Sequence, residues 1–223
     1  KELNYIENEI SEMVERNIDF AKRQLVDTIY KQAILEGVAT TYADTENIIE
    51  GGKVNNMTSE DVMKIINLKH AWEFILNKNV IMSETNFALL CEINKLVQEG
   101  FYISAGKIRN VPVSIGGTSW KPDFPIEATI KEELNMILNS EKEDIDKAIE
   151  LLLYTMKKQI YLDGNKRTAV IFSNHYLISK GKGIISIPAE LTEKFKELLI
   201  PYYEGKDELK IKEFLKNECY INI

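Results

Sequence analysis

The eleven residues Gln159-Ile160-Tyr161-Leu162-Asp163-Gly164-Asn165-Lys166-Arg167-Thr168-Ala169 place a carboxylate, a glycine, an amide and two adjacent cations between two runs of apolar periodicity. A loop of this kind that opens into a helix aims free backbone N–H groups, the positive end of the helix dipole and two cationic side chains at one point. That is the chemistry of an anion site, most often a phosphate. Gly164 lets the backbone turn sharply and lets a ligand approach where a Cβ would stand in the way. Asn165 opens the following helix, whose first-turn donors lack intrahelical acceptors. Lys166 adds charge, and Arg167 can clamp phosphate oxygens in pairs. Asp163 would repel a phosphate unless a cation lay between them, and Mg2+ held by Asp163 removes the conflict. A plainer reading makes Asp163 the N-cap of the helix and Lys166-Arg167 a solvated face. The stretch is not a Walker A loop, because the spaced glycines and the Gly-Lys-Ser/Thr are missing.

Helices must position this loop. Ile145 to roughly Lys158 leads into it, and about Asn165 to Ser179, stopped by Gly181, leads away. Upstream, Ile6, Ile10, Met13, Val14, Ile18, Leu25, Ile29 and Ile34 recur at helical spacing and predict one long helix to about Leu35, with Gly37 as its stop. A second run covers about Val38 to Ile49 and closes at Gly51-Gly52. Thr58-Ser59-Glu60-Asp61 reads as a capping box ahead of a helix to Leu76, and Ser83 to Asn86 introduces another from Phe87 to near Gly100. Ile126 to Leu138, Thr192 to Tyr203 and Glu208 to Glu218 are further helical stretches, and Ile184 to Ile187 is a candidate strand. Val111-Pro112-Val113-Ser114-Ile115-Gly116-Gly117 alternates instead, and predicts a short β-hairpin that Pro112 confines to an edge. Such an edge is open to strand pairing with another chain. Trp120, in the Pro-flanked loop that follows, reads equally as a partner anchor and as packing under its own loop. The expected fold class is all-α with a small β flap, one domain over residues 1–223 with helices at 1–57 ahead of a core at 58–223.

At 223 residues the chain can bury one good core, and an apolar fraction of 44% with 28% charged residues is ordinary for a globular protein. A net charge of −7 argues against nucleic acid as a general partner. Cys91 and Cys219 are too few for a disulfide framework or a thiolate metal cluster, and Cys91, inside an apolar helical run, reads as a core residue. No apolar run approaches the ~20 residues a bilayer span needs. No membrane association is therefore expected, and a reducing cytoplasm is the simplest compartment, with secretion through an unrecognised export signal as the alternative.

Read with its surroundings, the loop resembles the Fic/Doc (Fido) family, whose motif has the form His-x-Phe-x-Asp/Glu-Gly-Asn-Gly/Lys-Arg between two central helices. Tyr161 takes the Phe position, and Asp163-Gly164-Asn165-Lys166-Arg167 match in order. Ala105-Gly106-Lys107-Ile108-Arg109 through Gly116-Gly117 to Pro122 resembles the stretch leading through the family's flap, and Ile49-Glu50-Gly51 resembles its inhibitory helix. The resemblance runs from about Ala39 to the C-terminus. It implies a Fic-like helical core with a β-hairpin flap, and transfer of a phosphate-containing group, usually AMP from ATP, to a hydroxyl side chain of a target protein. By the same analogy Asp163 holds Mg2+, while Gly164, Asn165, Lys166 and Arg167 cradle the phosphates of ATP or another nucleotide, with Arg167 also in the catalytic set. Val113, Ser114, Ile115, Gly116 and Gly117 would line up the target protein by strand pairing. A homodimer is left open.

Three positions depart from the family pattern. Gln159 stands where the family has its catalytic His, and an amide has no usable basicity, so a loss of roughly 10²–10⁴-fold is expected. Neither His175, more than two turns beyond Arg167 on the same predicted helix, nor His70, in another helix, is a natural substitute. Lys166 and Val170 replace a Gly and a second Arg of the AMP-transferring form and resemble the Doc-like branch, whose members can transfer a phosphoryl group. Glu46 stands where the inhibitory motif has Ser or Thr, and the absent second Arg leaves Glu50 without its expected partner, which favours a capping or structural role for Glu50. Two functions follow: a Fic-type transferase of much reduced activity, or a catalytically silent Fic fold that binds a nucleotide or a protein partner.

Overall fold

The computed structural model describes the backbone of residues 2–223 and the side chains from residue 12 onward; Ile6 and Ile10 of the predicted apolar series have their side chains outside the described residues. Among the described residues eleven α-helices account for most of the chain. Helices α1 (Glu2–Arg23) and α2 (Leu25–Leu35) replace the single N-terminal helix expected from periodicity. The chain kinks at Gln24, which sits at φ −91° and ψ 6°, outside the helical region. The kink lets Val14, Ile18 and Ala21 face the core from one half, and Ile29, Gln32 and Ala33 from the other.

Caps set the next boundaries. The Thr41 hydroxyl accepts from Asp44 N and starts α3 (Tyr42–Ile49), later than the expected Val38. The Thr58 hydroxyl does the same for Asp61 N at the start of α4 (Ser59–Leu76), and Asn86 for Leu89 N at the start of α6 (Phe87–Val97). Between them lies a single turn, α5 (Lys78–Ile81). Helices α7 (Glu127–Leu138), α8 (Asp144–Lys158), α9 (Asn165–Ser179), α10 (Thr192–Tyr203) and α11 (Leu209–Phe214) follow, the last running on through a π turn at Leu215–Cys219.

Helix α9 is the axis of the fold. Of its residues only Lys166 and Ser179 escape burial, and α1, α4, α5, α6 and α8 all pack around it. A helix buried on every side must satisfy its polar members internally. Asn174 does so through Val170 O, Ile185 O and Ile185 N. His175 Nε2–H donates to Val80 O at 2.7 Å, so in the neutral ring Nδ1 accepts from the Thr85 hydroxyl at 2.8 Å. Burial holds its pKa below the usual histidine range.

The all-α expectation with a minor β component holds, but the sheet forms at the candidate strand and not at the expected hairpin. β1 (Ile184–Ile185) falls within the candidate strand and pairs antiparallel with β2 (Tyr220–Ile221), Ile184 opposite Ile221 and Ile185 opposite Tyr220. The predicted hairpin at 111–117 is an extended segment that turns at Gly116-Gly117 without a ladder. No backbone–backbone hydrogen bond joins residues between 110 and 125. Pro112 brings no N–H, and an isolated two-stranded ribbon is marginal in water. No helix of the described residues is long and apolar enough to cross a membrane.

Candidate functional site

The loop between α8 and α9 is built on two left-handed residues. Gln159 ends α8 at φ 47°, the only non-glycine with positive φ among the described residues, and Gly164 precedes α9 at φ 76°. The Asn165 side chain ties the loop shut. Its Oδ1 accepts from Tyr161 N at 3.1 Å, and its Nδ2 donates to Tyr161 O at 2.9 Å and to Gln159 Oε1 at 3.2 Å. From α6, Asn94 Nδ2 donates to Asp163 O and to the Thr168 hydroxyl, while its Oδ1 accepts from Gly106 N. The buried Tyr161 hydroxyl donates to Cys91 Sγ, and desolvation raises the pKa of both groups, so Cys91 is the inert packing residue its neighbours suggested.

Gly164, not Asp163, is the N-cap of α9, which removes the capping role as the explanation of Asp163. Gly164 adopts a backbone angle that favours glycine, and a Cβ there would lie 3.1 Å from the Gln98 side chain, which would have to shift by a few tenths of an ångström. The N–H groups of Asn165, Lys166 and Arg167 meet no acceptor among the described residues, and the first bond of the helix runs from Thr168 N to Gly164 O.

Asn165 and Lys166 line a cavity of about 240 Å3, and Arg167 is not among its lining residues. Its floor is the loop (Gln159 and Leu162 to Lys166), its roof the flap residues Val113, Ser114, Ile115 and Gly116, and its sides Glu36 and Tyr203. Arg167, the next residue of α9, has a side chain only 2% exposed. Its Nε stands 3.5 Å from Glu36 Oε1 and its Nη2 3.7 Å from Asp163 Oδ2. Neither Nε nor Nη1 has a hydrogen-bond partner among the described residues. Behind it, Gln32 Nε2 donates to Arg167 O and Gln32 Oε1 accepts from the Trp72 indole, which fixes the arginine backbone from α2 and α4.

Residues 84–177, which span α6 to α9 and the loop, match the model of the Fic/DOC family. A Fic domain-containing signaling protein from Bacteroides thetaiotaomicron superposes with a TM-score of 0.72 at 19% identity, covering 92% of this chain and 84% of that one. Fic-1 from C. elegans superposes with a TM-score of 0.72 at 18% identity over 96% and 68% of the two chains. A Fic family protein from Desulfovibrio desulfuricans gives 0.71 at 15% identity over 96% and 70%. The fold is that of Fic-domain structures. No curated protein matches the sequence.

On this Fic fold the residues singled out by sequence have different fates. Gln159, Asp163, Gly164, Asn165 and Lys166 line one cavity with Val113 to Gly116. Gly117 stands apart, where a Cβ would meet Ile200 Cδ1 at 2.9 Å. One N–H and one lone pair of the Gln159 amide are engaged, with Nε2 donating to Met156 O at 2.6 Å and Oε1 accepting from Asn165. Val170 is buried, His175 is locked inside the core, and His70 is exposed, so none of them presents a base or a second cation to the cavity. Glu50 is the exposed C-cap of α3 and is not among the cavity residues. The carboxylate of the N-terminal helices that reaches Arg167 is Glu36, at the end of α2. Trp120 stacks on Tyr203 with ring centroids 5.5 Å apart and takes Lys157 over its face, which favours the packing reading.

Sequence reasoning singled out neither Glu36, Asn94, Gln32 nor Tyr203. Two of them carried a signal: Gln32 and Asn94 share a helical face with Ile29 and Ala33, and with Leu90 and Val97, where a polar residue has to hold something. Glu36 and Tyr203 carried none, because only the packing of α2 and α10 brings them to the loop.

Proposed function

We propose that the chain is a Fic-family protein, one unit of N-terminal helices and core, that holds a nucleotide by its phosphates. On this reading it moves AMP, or a related phosphate-containing group, to a hydroxyl side chain of a target protein, with activity much reduced by Gln159. The observation that carries the reading is the start of α9: Asn165 and Lys166, whose backbone N–H groups are free among the described residues, line the cavity, and the buried guanidinium of Arg167 follows directly behind them. Free N–H groups at a helix start favour an anion, and a cationic side chain behind them adds to that field.

The residues divide the work. Asn165 and Lys166 offer N–H groups at the start of α9, Lys166 adds a cation among the cavity residues, and Arg167 adds positive charge from behind the lining. Asp163 is half exposed and faces the same cavity, and a hard cation is what a carboxylate beside phosphates calls for. Mg2+ held there would neutralise phosphate charge and leave Arg167 free for a further oxygen. The flap roof is the place for the target's main chain, consistent with its unpaired backbone groups. What is missing is the base. Gln159 can orient a hydroxyl but cannot take its proton.

The second reading is a silent Fic fold that binds a nucleotide or a partner, and the engaged amide of Gln159 favours it. Labelled ATP with Mg2+, followed by mass spectrometry of protein mixtures, separates the two. Labelling by wild type that is lost in Arg167→Ala establishes the enzyme. A silent wild type with labelling in Gln159→His identifies a competent pocket that lacks only its base. If calorimetry detects no nucleotide binding to either protein, the phosphate-site reading fails.

A further inference from the structure

Arg109 stands where the flap leaves the body of the chain, and its guanidinium is committed to three carbonyl oxygens from three separate places. Nε donates to Gln159 O at 2.5 Å, Nη1 to Val111 O at 2.9 Å and Nη2 to Asp123 O at 2.8 Å. Its own N–H donates to Ile160 O at 3.0 Å. Val111 and Asp123 are the two feet of the flap, which has no backbone ladder to hold them together. Arg109 is 6% exposed, and burial lowers its pKa with no acidic neighbour acting against that. A buried guanidinium without a counter-charge is an expensive way to fill space. Only the planar fork of an arginine reaches three carbonyls in different directions, and a lysine ammonium does not reproduce it.

We propose that Arg109 is a positioning residue: in place of a strand ladder, its guanidinium ties both feet of the flap to the carbonyl of Gln159 and so sets the height of the flap over the cavity. The same contact supports Gln159 in its left-handed conformation, since the carbonyl that Arg109 holds belongs to the residue at φ 47°. Roof and floor of the cavity therefore move as one body. The bearing of this clamp on group transfer rests on the function proposed above, but the clamp itself can be tested without a nucleotide.

The flap carries its own reporter. The chain has two tryptophans; Trp72 is buried in the core, and Trp120 lies on the flap, stacked on Tyr203. In Arg109→Gln the far-UV circular dichroism stays that of wild type while tryptophan emission shifts to the red and acrylamide quenches it more strongly. The change disappears when Trp120→Phe is added, which assigns it to the flap. Arg109→Lys, which keeps the charge and loses the fork, shows the same shift. A folded Arg109→Gln with wild-type emission and quenching overturns the proposal, as does failure of both variants to fold, which would make Arg109 a plain core residue. Absence of nucleotide binding in an otherwise normal wild type touches the proposed function and leaves this result standing.

Discussion

Replacing Glu36 by glutamine removes one of the two carboxylates beside a guanidinium whose side chain is 2% exposed. Severing a fully buried pair typically costs about 3–5 kcal/mol, and an exposed one about 0–1 kcal/mol. Here the arginine is buried, while the Glu36 side chain is 20% exposed and stands 3.5 Å from Nε without a hydrogen bond. Asp163 remains at 3.7 Å to hold part of the charge. The expected loss for Glu36→Gln is therefore about 1–2 kcal/mol. For a chain of this size that lowers Tm by about 2–8 °C. The same substitution opens the guanidinium to a free anion, and a ligand at a hundred times its Kd returns about 2.7 kcal/mol. Thermal melts in a phosphate-free buffer and with added inorganic phosphate read both effects. Glu36→Gln melts lower than wild type without phosphate and gains more than wild type when phosphate is added, and the gain is absent in Arg167→Ala. Equal Tm values without phosphate, or equal gains in wild type and variant, would refute the electrostatic link between Glu36 and Arg167.

Gly164→Ala and Gly37→Ala place a methyl group on backbones with nearly the same positive φ, 76° and 75°. Each loses about 1–2 kcal/mol in urea unfolding for the left-handed angle, and Gly164→Ala loses more because Gln98 must give way at 3.1 Å whereas Gly37 faces open space. Equal losses at the two sites would show that Gln98 does not press on the loop. His175 is buried with its pKa lowered by desolvation, so the unfolded chain binds its proton first. Its contribution to stability is complete above the unfolded pKa of about 6.5 and is lost as the pH falls from there toward the folded pKa. His175→Asn is accordingly less stable than wild type at pH 7.5, and its stability falls less steeply between pH 7 and pH 5; parallel pH profiles would exclude a neutral buried His175.

Helix positions were legible wherever apolar spacing and caps agreed, as at Thr58 and Asn86, because both are local properties. The break at Gln24 was not legible. No proline or glycine marks it, and only the demand that α1 and α2 face the core separately requires it. Ile184 and Ile185 read as a strand from their own types, whereas the partner Tyr220-Ile221 lies 36 residues away and is chosen by packing. The alternation at 111–117 was real but did not produce a ladder. Within the site, the loop residues carried their chemistry in their identities, and Asp163 to Lys166 line one cavity. The residues that hold the loop act through backbone carbonyls (Asn94 on Asp163, Arg109 on Gln159, Gln32 on Arg167), and a carbonyl leaves no trace in a sequence.

Gln159 closes the end of α8 through Met156 O and steadies Asn165 through Oε1, so the amide is a working part of the loop. A histidine at this position can reproduce both contacts only as the neutral tautomer, one ring nitrogen donating to Met156 O and the other accepting from Asn165 Nδ2. In that arrangement it has no lone pair left for a substrate hydroxyl. To act as a base it must release Asn165, which is also bonded to both the N–H and the carbonyl of Tyr161 and so loses only one of its three contacts. Giving up one neutral hydrogen bond costs about 1 kcal/mol, less than the rate gain of roughly 10²–10⁴-fold that a positioned base supplies. Restored labelling in Gln159→His is therefore expected to exceed wild type by somewhat less than a full base would give. A further Asn165→Asp change, which leaves an acceptor where the ring needs a donor, raises the histidine's basicity and at the same time removes the bond that Asn165 Nδ2 donates to Tyr161 O.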